Sequence, residues 1–394
     1  MVAETTADVT TKTRSFQSGK VTVLAISHGI QDTYQSFLPA MLPLLIEKFS
    51  LIKTEAGLLS VFVSAPSLLQ PFIGYLADHK GARYFVILTP AVTAIMMSLL
   101  GVAPTYGIAI LLLLISGLSS ASIHSTGPVL AGRLSGSRLG MGMSYWMAAG
   151  EIGRVIGPLV IVTFIRYFSL DKTPWLAFGG ILITLFLYTQ LREIDGQTVQ
   201  ATGLPPWRES LKGMGKGLAP IFAILLTRAF AYVSVSTYLP TYLTEKGSNI
   251  VMAGVSLSIM EAAGVFGAFF GGSISDRLGR RTVLLSMTVI AAAALFAFTS
   301  LNGWMVFPLL LILGFSLLST TPILMAAVQE SFPESRALAN GVYMAVNFVS
   351  SSLVAVLVGA IGDLASLHTA YLISAGLALL GLPFIQRLPK TNGR

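Results

Sequence analysis

Two residues of the first long apolar stretch, His28 and Asp32, carry groups that can move a proton. A spacing of i, i+4, i+7 and i+11 places them on one face of a helix with Gln35 and Pro39. A carboxyl group in low-dielectric surroundings binds a proton more readily than in water, and an imidazole titrates near neutrality. We therefore expect Asp32 to be the proton carrier and His28 its modulator. The alternative is a neutral, hydrogen-bonded pair with a structural role.

Charged side chains also occur inside other apolar stretches. Placing one ionised side chain in the middle of a membrane costs about 2.5–3.5 kcal/mol, so each of them needs a partner, a water-filled cavity or a function. Glu151 and Arg154 are i, i+3 neighbours that can neutralise one another. In a functional role, Arg154 binds an anionic substrate group and Glu151 takes part in proton coupling. Arg228 is a second anion-binding candidate, because guanidinium binds phosphonate, phosphate and carboxylate groups bidentately. An ion pair with Glu261 is the alternative for Arg228, and the three carboxylates would equally suit a cation.

The expected substrate site combines these charges with polar and aromatic residues at mid-helix positions, for which packing is the alternative. It consists of Gln35, His124, Tyr145, Arg154, Arg228, Tyr232, Glu261 and Asn347. Metal binding by His28, Asp32, His124 and Glu151 is conceivable, but their spacing is not diagnostic of a metal site. We expect no metal and no other cofactor. A run of serines precedes His124, but it predicts no oxyanion hole, so we expect no enzyme.

The elements that position these side chains follow from the composition. Of 394 residues, 54% are hydrophobic and 11% are charged, less than half of the roughly 25% charged residues in a soluble protein. The mean hydropathy is +0.77, which excludes cytosolic, secreted and disordered classes. The absence of cysteine excludes disulfides and thiol chemistry. The net charge of +8 comes from basic loops between apolar stretches, so we expect no nucleic-acid partner.

A membrane-spanning helix needs about 20 apolar residues, and the chain has twelve such stretches. They are 21–45, 56–77, 84–101, 105–132, 140–166, 174–192, 218–243, 250–274, 282–301, 304–328, 337–361 and 367–387. The sequence thus predicts an all-α membrane protein whose stretches form two sets of six, 21–192 and 218–387. A disordered tail (1–20) without the apolar segment of a signal peptide, a linker (193–217) and a second tail (388–394) complete the chain.

The basic residues outside the apolar stretches predict the orientation. Eighteen lie on the side of the N-terminus and five on the other side. Because positive charge accumulates in cytoplasmic loops, we expect both tails and the linker in the cytoplasm and the protein in a bacterial-type inner membrane.

The two halves repeat one loop motif. Gly, Asp, Gly and Arg recur 198 residues apart after the second and eighth stretches, and Arg138 and Arg336 share that offset. Glycine permits a tight turn, and the aspartates can pair with Arg133 and Arg336, so we expect a latch that holds one conformation. A topogenic loop without a gating role is the alternative. The latch residues are Gly74, Asp78, Gly81, Arg83, Arg133, Gly272, Asp276, Gly279, Arg281 and Arg336.

The repeated motif resembles the signature loop of the major facilitator superfamily. The first stretch from His28 to Pro43, together with Gln70-Pro71 and the region of His124, is similar to the fosmidomycin-resistance group of bacterial exporters. The resemblance implies two six-helix bundles around a central cavity, alternating access and proton-driven export of a small drug-like or anionic amphiphilic compound.

Two rival functions share these features. A proton-coupled importer of a small organic solute would have the same fold and proton site, and a lipid flippase would have a laterally open, apolar cavity. A channel has no use for duplicated latch loops and is less favoured. The expected partners are a small-molecule substrate, protons and the lipid bilayer, and we expect a monomer.

Overall fold

The computed structural model describes residues 16–73, 83–192, 214–301, 303–332 and 336–388, which form helices and no strands. The helices are α1 (Ser18–Gln35), α2 (Phe37–Phe49), α3 (Lys53–Ser64), α4 (Arg83–Leu99), α5 (Tyr106–Ser135), α6 (Leu139–Phe168), α7 (Ala177–Leu191), α8 (Met214–Glu245), α9 (Ile250–Leu278), α10 (Arg280–Ser300), α11 (Val306–Ser331), α12 (Arg336–Leu364), α13 (Leu367–Leu379) and α14 (Leu382–Ile385). A 3₁₀ segment, Ala65–Leu69, extends α3, and another, Leu170–Leu176, precedes α7.

Eleven helical segments of the described chain are long and apolar enough to cross a membrane. Large apolar side chains such as Phe269 and Trp304 are exposed. Surfaces that contact lipid are expected to be apolar, because lipid tails are as apolar as leucine. The protein is therefore an all-helical, multi-pass membrane protein.

The first predicted stretch is interrupted. Only Ser36 separates α1 from α2, and Pro39 explains the break because its ring displaces the carbonyl of Gln35 and it has no N–H to donate. The Ser36 N–H still donates to Asp32 O at 3.0 Å, and its hydroxyl donates to Thr33 O at 2.9 Å. The polar face of α1 thus ends at a defined bend.

Two predicted boundaries move. Helix α1 begins at Ser18, so residues 18–20 do not belong to a disordered tail, and α8 begins at Met214 within the expected linker. Of the remainder of the expected tails and linker, residues 1–15, 193–213 and 389–394 lie outside the described residues.

Glycines bring helices into close contact in both halves of the chain, 16–192 and 214–388. On α6, Gly153 lies against the carbonyl of Gly29, so that a Cβ would overlap it. On α9, Gly267 lies in the same way against the carbonyl of Phe315. The α1–α6 and α9–α11 pairs therefore depend on small residues at the contact, the usual arrangement for helices packed within a membrane.

The two halves meet where α3 begins and α12 ends. Asp363 accepts hydrogen bonds from the backbone N–H groups of Lys53 (2.7 Å) and Thr54 (2.8 Å) and from the Thr54 hydroxyl (2.6 Å). Because the first N–H groups of a helix have no partner within it, Asp363 caps α3 from the other half. Lys53 Nζ also pairs with Glu245 at 3.0 Å. We call this region the closed end.

Close backbone packing supports the closed end. The Tyr238 hydroxyl donates to Ala355 O at 2.7 Å and lies 3.0 Å from Lys53 O. A Cβ on Gly57 would overlap that hydroxyl and lie 2.6 Å from Ala355 O. The absence of a side chain at Gly57 therefore allows α3 to contact α8 and α12.

Candidate functional site

A cavity of about 320 Å³ lies between the two halves. Both halves contribute polar side chains to its wall: Asp32, Gln35, His124 and Arg154 from the first, and Tyr232 and Glu261 from the second. Apolar surroundings with a few convergent polar groups are typical of small-molecule sites. Five of the eight residues expected at the substrate site thus lie together with Asp32, the expected proton carrier.

On one side of the cavity, α1 and α5 bring together His28, Asp32 and His124, which we call the His–Asp cluster. The two imidazole Nε2 atoms are 3.2 Å apart. Asp32 Oδ2 lies 3.4 Å from His28 Nε2, and Oδ1 lies 3.7 Å from His124 Nε2. The i, i+4 contact of His28 with Asp32 was expected, whereas His124 was expected to bind substrate.

The other ring nitrogens of the His–Asp cluster contact the backbone. His28 Nδ1 donates to Trp146 O at 2.9 Å, and its ring stacks on the Trp146 ring at 4.1 Å. His124 Nδ1 donates to Ser120 O at 2.8 Å. These contacts fix both imidazoles with their Nε2 atoms facing Asp32.

A second ionic group crosses the cavity. Arg154 pairs with Glu151 on its own helix, as the i, i+3 spacing predicts, and its Nε lies 3.9 Å from Glu261 of the other half. Glu261 is buried, while the Arg154 side chain is 38% exposed to the cavity. The guanidinium therefore joins one carboxylate from each half.

Comparison with known proteins identifies the fold that carries this site. The sequence model of the Major Facilitator Superfamily matches residues 24–353, with a second match over 263–394. The chain belongs to the major facilitator superfamily. It is thus a transport protein and not an enzyme.

Curated relatives of this superfamily member include drug-resistance proteins. The Fosmidomycin resistance protein of Escherichia coli (strain K12) is 27% identical over 95% of this chain and 93% of its own length. The Tetracycline resistance protein, class B, of Escherichia coli is 25% identical over 70% of this chain and 71% of its own.

Solved structures share the transporter's fold at lower identity. A bacterial homolog of the human lysosomal transporter Spinster, in an inward-facing and unoccupied conformation, has a TM-score of 0.75 at 16% identity and covers 94% of this chain and 95% of its own. A D-xylose-proton symporter has a TM-score of 0.75 at 16% identity and covers 96% of this chain and 100% of its own.

The alternative considered for Arg228, an ion pair with Glu261, is not the contact that the structure shows. Arg228 donates to Thr320 Oγ1 (2.5 Å), Thr321 Oγ1 (2.7 Å) and Leu317 O (2.8 Å), all on α11. It lies beside a separate cavity of about 10 Å³, while Glu261 lies with Arg154. Interhelical packing, which spacing does not encode, determines this choice of partner.

The other expected substrate residues divide between the cavity and its surroundings. Gln35 lines the cavity and accepts from the Ser116 hydroxyl at 3.0 Å. Tyr145 lies against Phe16 at the end where the described chain begins. Among the residues that the structure places on the cavity wall, Tyr145, Arg228 and Asn347 do not occur.

Much of the expected latch lies outside the described residues: Gly74, Asp78, Gly81 and the side chain of Arg336. Within the described part, Arg83 donates to Arg192 O at 2.6 Å and Asp276 lies 3.9 Å from Arg280. Gly279 has a φ of +87° between α9 and α10, which favours glycine. The expected contacts of Asp78 and Asp276 with Arg133 and Arg336 across the two halves stay predictions, and so does the expected role of Arg281 in the latch.

Sequence reasoning missed the closed end. Lys53, Thr54, Tyr238 and Asp363 join the halves there. The signals available were an aspartate at the end of an apolar stretch and glycines in the facing helices. Neither signal identifies a partner some 300 residues away.

Proposed function

We propose that this transporter exports a small drug-like compound in exchange for protons. The observation that carries the proposal is a cavity between the halves whose wall holds both a titratable cluster and an ion pair that crosses from one half to the other. A site at the junction of two repeats is where alternating access exposes a substrate first to one side and then to the other.

The proposed architecture has twelve spans in two six-helix bundles, with α1 and α2 together forming the first span. That count adds the broken helix to the eleven candidate spans. With the tails and linker in the cytoplasm, as the basic loops favour, the closed end faces away from the cytoplasm. The described conformation is then inward-facing.

Proton coupling is proposed to have two parts. The His–Asp cluster binds the proton, and the ion pair of Arg154 transmits the change of charge to the other half. Binding of a proton changes the charge of a group on the cavity wall, and the ion pair between Arg154 and Glu261 links that charge to the relative position of the halves. Glu151, which pairs with Arg154, maintains the guanidinium in place when Glu261 separates from it.

The charges of the cavity set a condition on the substrate. While the imidazoles are neutral, the negative charges outnumber the positive ones. The three carboxylates of Asp32, Glu151 and Glu261 face the single guanidinium of Arg154. An anionic compound therefore has to replace Glu261 at Arg154 or bind together with a proton, whereas a cation competes with the proton directly. Fosmidomycin is the first compound to test, because the relative described above is named for resistance to it.

The experiment is transport by the purified protein in liposomes with a pH-sensitive dye inside. Fosmidomycin and a lipophilic cation are added in turn, and Asp32→Asn is compared with Asp171→Asn, which removes an exposed charge at a loop. Substrate-evoked proton movement, opposite in direction to the compound and lost only in Asp32→Asn, supports the proposal.

Other outcomes contradict parts of it. Proton movement in the same direction as the compound would identify an importer. Movement of fluorescent lipid between leaflets without any effect of either compound would identify a flippase. Compound transport without a proton signal in any variant would reject proton coupling.

A further inference from the structure

We propose that His28 and His124 share one proton between their Nε2 atoms, with ionised Asp32 as the counter-charge, and that this is the proton exchanged during transport. The exchange of this proton during transport rests on the proposed function, whereas the sharing of the proton does not. The sequence-based interpretation placed the proton on Asp32 and gave His124 to the substrate, so the roles of these residues change.

The backbone contacts of the two rings determine where their hydrogens lie. Trp146 O lies 2.9 Å from His28 Nδ1, and Ser120 O lies 2.8 Å from His124 Nδ1. A carbonyl oxygen can only accept, and the Ser120 hydroxyl, 3.3 Å from His124 Nδ1, can accept as well, so we assign both Nδ1 atoms as donors. A neutral imidazole carries a single N–H, and therefore neither Nε2 carries a hydrogen while the rings are neutral.

Without a further proton, the His–Asp cluster consists of acceptors that face one another. The two Nε2 lone pairs are 3.2 Å apart, and the carboxylate of Asp32 lies 3.4 and 3.7 Å away. One added proton converts the shortest of these contacts into an N–H···N hydrogen bond. A second proton would direct two N–H groups at each other, so this geometry fits one proton.

Of the charges around His28, the carboxylate of Asp32 favours an added proton, whereas the guanidinium of Arg154 opposes it. The charged and titratable groups that act on His28 are Asp32 on α1, His124 on α5 and Arg154 on α6. Helix α4 contacts this part of α1 through Val86 O, which accepts from Ser27. Uptake of one proton takes the cluster from one negative charge to neutrality, which lowers the cost of holding it in the membrane.

The burial of the three side chains gives the proton a route. The side chain of His124 is 35% exposed, whereas those of His28 and Asp32 are 6% and 9% exposed. His124 and Asp32 line the cavity, and His28 lies behind them on Trp146. A proton from water in the cavity therefore reaches His124 first and is then shared with His28.

The test is nuclear magnetic resonance of the full chain in nanodiscs with ¹⁵N-labelled histidine. The chain has only four histidines, so the signals of His28 and His124 can be assigned by single substitutions. We expect a scalar coupling across the hydrogen bond between the two Nε2 nitrogens, lost at high pH and in His124→Gln. The variant His368→Gln is the matched control and leaves the coupling unchanged.

Three results would overturn the sharing: no such coupling in the unmodified protein at any pH, protonation of the two rings in separate steps of one proton each, or one transition-metal ion per chain that is lost in His124→Gln. The pH series of nuclear magnetic resonance spectra on the unmodified protein tests the sharing even if a variant does not fold. Liposome assays test whether the shared proton is the one exchanged during transport. Loss of substrate-evoked proton movement in His124→Gln, with the compound still bound, supports it, and unchanged proton movement overturns it.

Discussion

The two halves of the transporter place different chemistry at matching positions. The repeat offset of 198 residues brings His28 to within two residues of Arg228, and His124 to within one residue of Thr321. In the first half, α1 and α5 meet through two imidazoles and a carboxylate. In the second half, α8 and α11 meet through a guanidinium bonded to hydroxyls and a backbone carbonyl.

This difference separates a region that can change its charge from one that cannot. An imidazole can gain or lose a proton at physiological pH, whereas an arginine side chain stays charged in proteins. The two matching positions of the repeat therefore hold groups that can change their charge in one half and a fixed charge in the other. Arg154 and Glu261 connect the two across the cavity.

The largest expected effect comes from removing the charge of the His–Asp cluster. Asp32→Asn takes away the counter-charge of the two imidazoles, and we expect substrate-evoked proton movement to fall about 100-fold. Arg228→Lys keeps the fixed charge of the other half, and we expect it to leave the pH profile of transport unchanged. Transport rates between pH 5 and pH 8 distinguish the variants, and an altered pH profile in Arg228→Lys would remove the contrast between the halves.

The second prediction compares the two arginines as structural charges. Arg154→Met leaves two carboxylates without their cation, and we expect it to cost about 2–3 kcal/mol, less than for a fully buried pair because Arg154 is 38% exposed. Arg228→Met removes a cation whose bonded partners are neutral, and we expect a cost of about 1–2 kcal/mol. Urea unfolding in detergent measures both, and the reverse order would contradict the assignment of partners.

The third prediction concerns the joint between the halves. Gly57→Ala introduces a methyl group against Tyr238 and Ala355 O, an overpacking that costs about 1–3 kcal/mol. We expect the ratio of molecules with the closed end shut to those with it open to fall about tenfold, since about 1.4 kcal/mol corresponds to that change in an equilibrium constant. Gly376→Ala is the control, because a Cβ there meets nothing within 4 Å.

The chain itself makes the measurement direct. It has no cysteine, so spin labels can be attached only where cysteines are introduced, for example at Asp171 and Trp304, one in each half beside the closed end. Electron spin resonance then gives the distribution of distances across that end. An unchanged distribution in Gly57→Ala would show that the joint tolerates the methyl group.

The smallest effect is expected from the helix cap. Asp363→Asn keeps the shape of the side chain but replaces a charged acceptor by a neutral one, which we expect to weaken the cap by about 0.5–1 kcal/mol. The same labels should show a shift of a few fold in population, smaller than in Gly57→Ala. A larger shift in Asp363→Asn than in Gly57→Ala would place most of the closing free energy in the cap.

The sequence predicts what local geometry governs. The apolar stretches, the contact of His28 with Asp32 and the ion pair of Glu151 with Arg154 follow from helical length and spacing, because residues three and four apart share a face. The family followed from the repeated loop motif. Pro39 was the sequence signal for the break after α1. Helical spacing alone had placed this proline on the polar face of an unbroken helix.

What the sequence could not predict depends on packing between distant helices. His124 lies 96 residues from His28, and no pattern along the chain pairs them. Arg228 was expected to bind an anion, with Glu261 as the alternative partner, but α8 turns Arg228 toward the threonines of α11. Asp363 was overlooked because its partners are about 310 residues away.

The cap on α3 also makes the transport cycle visible to hydrogen exchange. The amide protons of Lys53 and Thr54 are held by Asp363, which belongs to the other half. When the closed end opens, these two amides lose their acceptor and become free to exchange with deuterated water, although α3 itself stays folded. Their exchange rate therefore counts openings of the whole molecule, and a bound substrate that slows the cycle would lengthen the lifetime of two backbone protons far from the cavity.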